Sequence, residues 1–289
     1  MPRPVGFVEI PAEGAGELML PQIIKIGDFF IPTYGVLVTA GFLLGLWVAA
    51  RLATRSGLNS DAVLNLGISC ALAGILGAKL LMLIADFSYY RQNPGEIFSL
   101  ATLQAGGVFQ GGLLLAVATA FFIVRRNKLP GLATADVLAP GVALGHAIGR
   151  LGCFAAGCCW GLECHLPWAV TFRNPVANQL FGTPLNLPLH PTQLYEAAVE
   201  ALIFVVLYRQ FLRPHRAGTI IGLYLVLYSS ARFLIEFVRE HDQPNPIDGP
   251  LSSAQWIALA TLAAGVWLLA RKPALKPAPP APTARRAGK

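Results

Sequence analysis

The sequence has few charged residues. Asp, Glu, Lys and Arg make up only 13% of its 289 positions, whereas 55% of the positions are hydrophobic. So little charge cannot cover the surface of a large soluble domain, because charged side chains normally occupy that surface. Apolar runs of about 20 residues, the length needed to cross the hydrocarbon core of a bilayer, recur along the chain. The composition therefore predicts an all-α, polytopic membrane protein.

The first residues lack the pattern of a cleavable signal peptide, which is a basic region followed by an apolar core. Residues 1–22 instead carry three glutamates and are polar. We therefore expect residues 1–28 to be a lead-in outside the membrane and the first apolar helix to direct the chain to the bilayer. At the other end, residues 273–289 are rich in Pro, Ala and basic residues, which predicts a disordered tail.

Seven apolar stretches predict about seven transmembrane helices between residues 29 and 272. Their approximate ranges are Gly35–Ala53, Ala62–Ala85, Gly106–Val124, Thr134–Leu151, His190–Phe211, Gly218–Val238 and Ser252–Ala270. Phe87–Gln104 is too polar to cross the membrane and is expected to lie at its interface. The proline-bearing residues 153–190 predict a small ordered cap outside the bilayer.

The basic residues indicate how the chain is oriented. Of 22 Lys and Arg, 14 lie at or after the ends of the first, third, fifth and seventh predicted spans, the tail included. Such alternation is the positive-inside pattern of membrane proteins, so the net charge of +7 does not indicate a nucleic-acid partner. The pattern predicts an N-terminus and a cap on the outer side and a C-terminus in the cytoplasm.

Polar residues recur at helical spacing inside three predicted spans. One face of each helix carries His146, Arg150 and Cys153 in the fourth span, Gln193, Glu196 and Glu200 in the fifth, and Tyr228, Arg232, Glu236 and Arg239 in the sixth. A guanidinium at membrane depth costs from about 3 to more than 10 kcal/mol unless it meets an anion or water. Two arginines with one or two carboxylates leave an excess of positive charge, which predicts a phosphate-bearing ligand such as a phospholipid headgroup. Purely structural ion pairing and transport are the alternatives.

Glycines mark places where two helices or a ligand could approach closely. Gly141, Gly145 and Gly149 recur every four residues and predict a smooth strip for a neighbouring backbone. Two glycine pairs bracket Gln110 at the start of the third span, and Tyr34 opens the first span.

The cysteines are concentrated in one place. Four of the five, Cys153, Cys158, Cys159 and Cys164, fall within twelve residues. Their spacing fits no common zinc template, and no C-x-x-C pair is present. Structural disulfides or packed thiols are the favoured interpretation, ahead of a redox function and of metal binding. We therefore assign no metal ion to the site.

Three blocks of the sequence resemble one known family. G-R-L-G-C-F-A-A-G-C-C-W-G at Gly149–Gly161 resembles the signature of the prolipoprotein diacylglyceryl transferases, G-R-x-G-N-F-x-N-G-E-x-x-G. H-P-T-Q-L-Y-E at His190–Glu196 and A-R-F-L-I-E-F-V-R at Ala231–Arg239 are similar to two further blocks of that family, in the same order. The resemblance covers nearly the whole chain after residue 25.

The resemblance implies an enzyme of the bacterial inner membrane. Members of the family transfer the diacylglyceryl group of phosphatidylglycerol to the lipobox cysteine of a preprolipoprotein and release glycerol phosphate, which is the first step of lipoprotein modification. The implied partners are phosphatidylglycerol, the preprolipoprotein signal peptide and the surrounding membrane lipid, and no cofactor is implied. The outer side of the chain would then be periplasmic.

The resemblance also implies roles for individual residues. Arg150 and Arg232 would stabilise the phosphate as charge develops on it, with Glu196 orienting the arginines and Tyr34 completing the catalytic group. Substrate-binding roles are expected for Gln110, Cys153, Gly161, Tyr228, Glu236 and Arg239.

The sequence departs from the family pattern at informative positions. Gln110 stands where the family has histidine, and a neutral amide cannot act as a general base. Cys153 and Cys158 stand where the family has asparagine and glutamate. We hypothesise that the arginines lower the pKa of the substrate thiol or that His146 acts as the base. The alternatives are a membrane thiol oxidoreductase that uses the four-cysteine cluster and a non-catalytic phospholipid-binding protein.

Overall fold

The structure is a computed structural model of the chain, and it describes residues 21–26, 29–99, 102, 107–240 and 249–271. The predictions for residues 1–20 of the lead-in and for the tail at 273–289 lie outside the described residues.

The described residues are predominantly helical, which confirms the all-α prediction. Their helices are α1 (Thr33–Arg55), α2 (Ser60–Ala85), α3 (Phe87–Gln92), α4 (Phe109–Arg126), α5 (Gly131–Ala156), α6 (Pro175–Phe181), α7 (Thr192–Phe211), α8 (Thr219–Ile235) and α9 (Ser253–Ala270). Short 3₁₀ turns at Pro94–Phe98 and Glu236–Val238 follow α3 and α8.

Four short strands, which the sequence did not predict, form two antiparallel pairs. The first joins β1 (Gln22–Ile26) to β2 (Phe29–Pro32), directly before α1. The second joins β3 (Val170–Thr171) to β4 (Pro188–Leu189). This second pair and α6 belong to a segment at 157–190 that folds over the end of α5, where the ring of the buried Phe172 lies 6.1 Å from that of Phe154.

Six of the helices are long and apolar enough to cross a membrane: α1, α2, α4, α5, α8 with its 3₁₀ turn, and α9. This confirms a multi-pass membrane protein. Helix α7 is not among them, although its 20 residues would extend about 30 Å. Its sequence includes Glu196, Glu200 and Arg209, and both glutamates are buried inside the protein. The count of seven spans stays a prediction, with α7 as the seventh.

The helix boundaries differ from the predicted ones mainly at α5. This helix continues to Ala156, so Cys153 lies in its last turn. The prediction that Cys153 begins the cap was therefore wrong. Gly157 caps the helix, and its φ of 80° is in the left-handed region that glycine adopts without a steric penalty.

The glycine strip predicted on α5 is confirmed for its first two members. Gly141 and Gly145 lie against Gly45 and Gly41 of α1, with backbone meeting backbone. The order of these contacts shows that the two helices run antiparallel. A β-carbon on Gly41 would lie only 2.8 Å from the carbonyl oxygen of Gly145. The absence of side chains therefore sets how closely α1 and α5 approach.

A buried carboxylate joins the beginnings of α5 and α8. Asp136 accepts hydrogen bonds from the backbone N–H groups of Gly218 at 2.7 Å and Ile221 at 2.9 Å. It thereby satisfies N–H groups that a helix N-terminus leaves without intrahelical partners and places negative charge at the positive end of the helix dipole. Towards the other end of these helices, the rings of His146 and Tyr228 lie 5.5 Å apart. Helices α5 and α8 therefore run parallel.

The main apolar core lies where α1, α5, α7 and α8 meet. Leu52, Val137, Leu207 and Ile220 are among its fully buried members, one from each helix. Helix α4 packs on α2, and α9 packs on α8 through close contact of Gly265 with the backbone of α8. Three of these helices carry His146, Arg150, Glu196, Tyr228 and Arg232, so the core positions most of the site.

We predict that Gly41→Ala lowers stability by about 1–3 kcal/mol, because the added methyl group would overlap the backbone of α5. The measurement is thermal unfolding of the purified protein in detergent. Gly95→Ala is the matched control, since a β-carbon there would meet nothing within 4 Å. Equal melting temperatures for the two variants would contradict the close packing of α1 on α5.

Candidate active site

Glu196, in the second turn of α7, is the centre of a cluster of buried charges. Its carboxylate forms an ion pair with Nε of Arg150. Its Oε1 atom lies 3.0 Å from Nη1 of Arg239 and 3.7 Å from Nη1 of Arg232. Only 4% of the Glu196 side chain is exposed. Three guanidinium groups, one from α5 and two from the end of α8 and the residues after it, therefore meet at one buried carboxylate.

Helix α5 contributes two of the polar groups, one turn apart. Nε of Arg150 donates a hydrogen bond of 3.3 Å to Nε2 of His146. The other ring nitrogen of His146, Nδ1, lies 2.8 Å from Oε1 of Glu200 on α7. Because Nε2 accepts a hydrogen bond, the proton of a neutral ring lies on Nδ1 and points to Glu200. The carboxylate therefore fixes both the tautomer and the orientation of the histidine.

The end of α8 contributes Arg232 and Glu236, which are one turn apart and form an ion pair. Glu236 also accepts a 2.8 Å hydrogen bond from the hydroxyl of Ser252. Ser252 is the N-cap of α9, where it forms a capping box with Gln255. A helix cap thus holds the second carboxylate of the cluster in place.

Arg239 enters the cluster because the chain leaves α8 next to Gly161. The two residues form an antiparallel bridge, and the N–H of Leu162 donates to the carbonyl oxygen of Val238 at 2.9 Å. A β-carbon on Gly161 would lie 2.7 Å from the β-carbon of His190. Only glycine fits this position, which gives Gly161 a structural reason for its place in the motif.

Two tyrosines named from the sequence lie near the cluster. The ring of Tyr228 packs on His146 and stacks on Tyr224 at 5.7 Å. Tyr34, in the first turn of α1, is 43% exposed and packs against Gly152 of α5, next to the cluster.

Gln110 lies apart from the charged cluster. It is exposed in the first turn of α4, and α4 packs mainly on α2. Its assignment to the substrate site stays a prediction.

The charges of the cluster are more nearly balanced than the sequence analysis predicted. Three arginines contact two carboxylates, Glu196 and Glu236, directly. Glu200 adds a third carboxylate behind His146, so the whole set is neutral when the histidine is neutral. Positive charge is in excess only among the three arginines and the two carboxylates that they contact, and Glu200 cancels it over the whole cluster.

Three of the cysteines meet beside the arginines. The sulfur atoms of Cys153, Cys158 and Cys159 all lie within 4.8 Å of one another, and Nη1 of Arg150 lies 3.9 Å from the sulfur of Cys153. All five cysteines are free thiols, so the structure contains packed thiols and not the structural disulfides that shared first place in our interpretation. Hydrogen bonds from Cys153 and Cys158, together with Arg239 and Arg150, lower the pKa of the Cys159 thiol.

A cavity of about 230 Å³ opens next to this group. Its lining residues are Cys158, Cys159, Trp160, Phe181, Arg239 and Glu240. Arg239 therefore belongs both to the charged cluster and to the wall of an accessible cavity.

Sequence reasoning missed the partners that arrive from distant parts of the chain. Glu200 was placed on the face of Glu196, but nothing in the sequence indicated its contact with His146. Ser252 gave one usable signal, because a serine followed three residues later by glutamine predicts a capping box.

Fold and site together define a polytopic helical membrane protein with a charged cluster inside its bundle. A sequence profile described as prolipoprotein diacylglyceryl transferase matches residues 21–271. The chain therefore belongs to the prolipoprotein diacylglyceryl transferase family.

Individual relatives carry the name phosphatidylglycerol–prolipoprotein diacylglyceryl transferase. The one from Clostridium tetani is 32% identical over 86% of this chain and 96% of its own length. Those from Photobacterium profundum and Vibrio cholerae are 34% and 31% identical over 84% and 92% of this chain, and over 86% and 94% of their own lengths. These names support neither the thiol oxidoreductase nor the non-catalytic lipid-binding protein that the sequence left as alternatives.

We predict that Glu196→Gln lowers stability by about 3–5 kcal/mol, because it removes the common counter-charge of three buried guanidinium groups. Thermal unfolding in detergent measures the effect. Glu163→Gln is the matched control: the Glu163 side chain is 54% exposed, and a surface change of this kind shifts stability by less than about 0.5 kcal/mol. An unchanged melting temperature for Glu196→Gln would mean that other groups neutralise the arginines.

Proposed function

We propose that this protein transfers the diacylglyceryl group of phosphatidylglycerol to the lipobox cysteine thiol of preprolipoproteins. The observation that carries the proposal is the convergence of Arg150, Arg232 and Arg239 on Glu196, inside the helical bundle of a member of this family. Named relatives that cover most of the chain support the same substrates.

The arginines are suited to hold the phosphate of the lipid. Each guanidinium carries five N–H donors, and the contacts between described residues engage Nε and Nη1 of Arg150 but only Nη1 of Arg232 and of Arg239. The remaining donors can bind phosphate oxygens in fork geometry. The side chains of the three arginines are 14–17% exposed, so an anion reaches them without unfolding of the cluster.

The reaction needs little from the protein beyond this charge and a proton acceptor. The substrate sulfur forms a bond to the glyceryl carbon, and the bond from that carbon to the phosphate oxygen breaks. Glycerol phosphate leaves with the electron pair, and the thiol proton passes to a base. Cations held at the developing negative charge lower the barrier, because they are positioned before the reaction begins.

His146 is the best placed base among the described residues of the cluster. Its side chain is 26% exposed, more than that of any arginine or glutamate it contacts. Glu200 holds its proton on Nδ1, which leaves Nε2 as the acceptor. The contact of Nε2 with Arg150 is long, at 3.3 Å, so a substrate thiol can replace it. His146 thereby acts as the general base, a role that the neutral amide of Gln110 cannot fill.

The other site residues have supporting roles. Glu196 and Glu236 orient the arginines, and Tyr34, Tyr228 and Arg239 line the path of the substrates. Gly161 and Cys153 shape the neighbouring wall, and Gln110 contacts the lipid from the side of α4.

The proposed setting is the bacterial inner membrane. Residues 29–272 form one catalytic domain of seven spans, with the segment at 157–190 as a periplasmic cap. The N-terminus lies in the periplasm, and the basic C-terminal tail lies in the cytoplasm. The site then opens to the outer leaflet, where the lipobox cysteine of an exported preprolipoprotein becomes accessible.

We predict that Arg150→Ala and Arg232→Ala each reduce transfer at least about 100-fold, as expected for loss of a preorganised cation at developing charge. The assay incubates the purified protein with phosphatidylglycerol and a lipobox peptide and measures glycerol phosphate and the diacylglyceryl-peptide mass. Arg173→Ala, at an exposed arginine outside the cluster, should keep full activity. Arg150→Lys separates charge from geometry, because lysine keeps the charge and loses the fork. Product formed by Arg150→Ala at the rate of the unaltered chain would overturn the proposal.

We predict that His146→Ala reduces the turnover number by about 100-fold or more, the usual contribution of a general base. The remaining activity should rise with pH, since an ionised substrate thiol no longer needs the base. His165→Ala is the control, because the His165 side chain is 82% exposed. Full activity of His146→Ala would remove this histidine from the mechanism and leave the arginines to promote ionisation of the thiol.

A further inference from the structure

Among the described residues, the thiols of Cys153, Cys158 and Cys159 form a group of reactive side chains to which the transferase reaction assigns no chemical step. Their sulfur atoms lie within 4.8 Å of one another, although the residues occupy the last turn of α5 and the loop that follows it. Two left-handed backbone positions make this possible, at Gly157 with φ 80° and at Cys159 with φ 64°. A left-handed residue other than glycine is uncommon and costs conformational energy. The fold therefore holds the sulfur of Cys159 close to those of Cys153 and Cys158 at a cost in backbone conformational energy.

The spacing of the sulfurs is close to that of a three-coordinate metal site. With a typical metal–thiolate distance of about 2.3 Å, three sulfurs in a plane around one ion lie about 4.0 Å apart. The group needs to contract by less than about 1 Å to reach that arrangement. A disulfide would join only two of the three sulfurs and would leave the geometry of the third unexplained.

The charges around the group favour an anionic thiolate complex. Arg150 lies 3.9 Å from the sulfur of Cys153, and Arg239 interacts electrostatically with Cys159. Three thiolates around a univalent ion carry two net negative charges, and the guanidinium groups that face them, those of Arg150 and Arg239, are shared with Glu196. A divalent structural zinc ion would require a fourth protein ligand, and the group of described residues that meets at this point offers three.

We propose that Cys153, Cys158 and Cys159 form a binding site for a soft, univalent metal ion, of the class to which Cu(I) belongs. Soft thiolate ligands select such ions. The cavity lined by Cys158 and Cys159 gives the ion a route from outside. The metal ligands are the three thiols and the proposed phosphate donors are the arginines, although Arg150 and Arg239 border both groups.

Titration of the purified full-length protein with Cu(I) tests the proposal. The protein is reduced with a phosphine, freed of reductant without oxygen, and titrated against a chromophoric Cu(I) chelator in detergent, with no lipid or peptide present. We expect one ion per chain, three sulfur neighbours at about 2.3 Å by X-ray absorption, and protection of three thiols from alkylation. Cys158→Ser and Cys159→Ser should each weaken binding at least about tenfold.

Two matched controls separate this site from general thiol binding. Cys70→Ser and Cys164→Ser remove thiols outside the three-sulfur group and should bind Cu(I) as the unaltered chain does. The proposal would be overturned if a Cys158→Ser, Cys159→Ser double variant competed with the chelator for Cu(I) as well as the unaltered chain does. Two sulfur neighbours instead of three, or a disulfide within the group that forms in place of the metal complex, would also overturn it. Because the readout is metal binding, none of these outcomes bears on the transferase reaction.

Discussion

One buried carboxylate holds the charged part of this protein together. Glu196 is 3% exposed and contacts the guanidinium groups of Arg150, Arg232 and Arg239. An isolated guanidinium at membrane depth is expensive, so these arginines remain there only because an anion meets them. The requirement fixes the faces that α5, α7 and α8 turn to one another.

The same arrangement prepares the protein for an anionic substrate. The arginines are desolvated and oriented when the bundle folds, so a lipid phosphate meets donors that need no further ordering. Binding adds phosphate oxygens at the guanidinium donors that the carboxylates leave open, with Glu196 and Glu236 still adjacent. Stability and recognition of substrate therefore depend on the same ion pairs, and a change that improves one alters the other.

The sequence predicted those features that lie within one helix. Helical spacing placed His146 with Arg150 and Arg232 with Glu236, and the interval of four between Gly141 and Gly145 predicted close contact with a neighbouring backbone, which the structure identifies as that of α1. Contacts between distant segments could not be read in this way. Asp136 appears in the sequence as a lone acid in an apolar run, and its partners at Gly218 and Ile221 follow some 80 residues later. The three-sulfur group was missed because zinc templates describe spacing along regular elements, whereas left-handed residues turn this chain back on itself.

Helices α5 and α8 are fastened to each other at two levels, near their beginnings and near their middles. Asp136 ties their beginnings through hydrogen bonds, and the ring contact of His146 with Tyr228 joins them near the charged cluster. Sliding one helix along the other by a single turn, about 5.4 Å, would break both attachments at once. The two attachments therefore oppose sliding of one helix along the other, and an opening that keeps both of them has to come from the elements around the pair. Of these, α4 packs mainly on α2, and α2 packs on α1, so both helices lie outside the fastened pair.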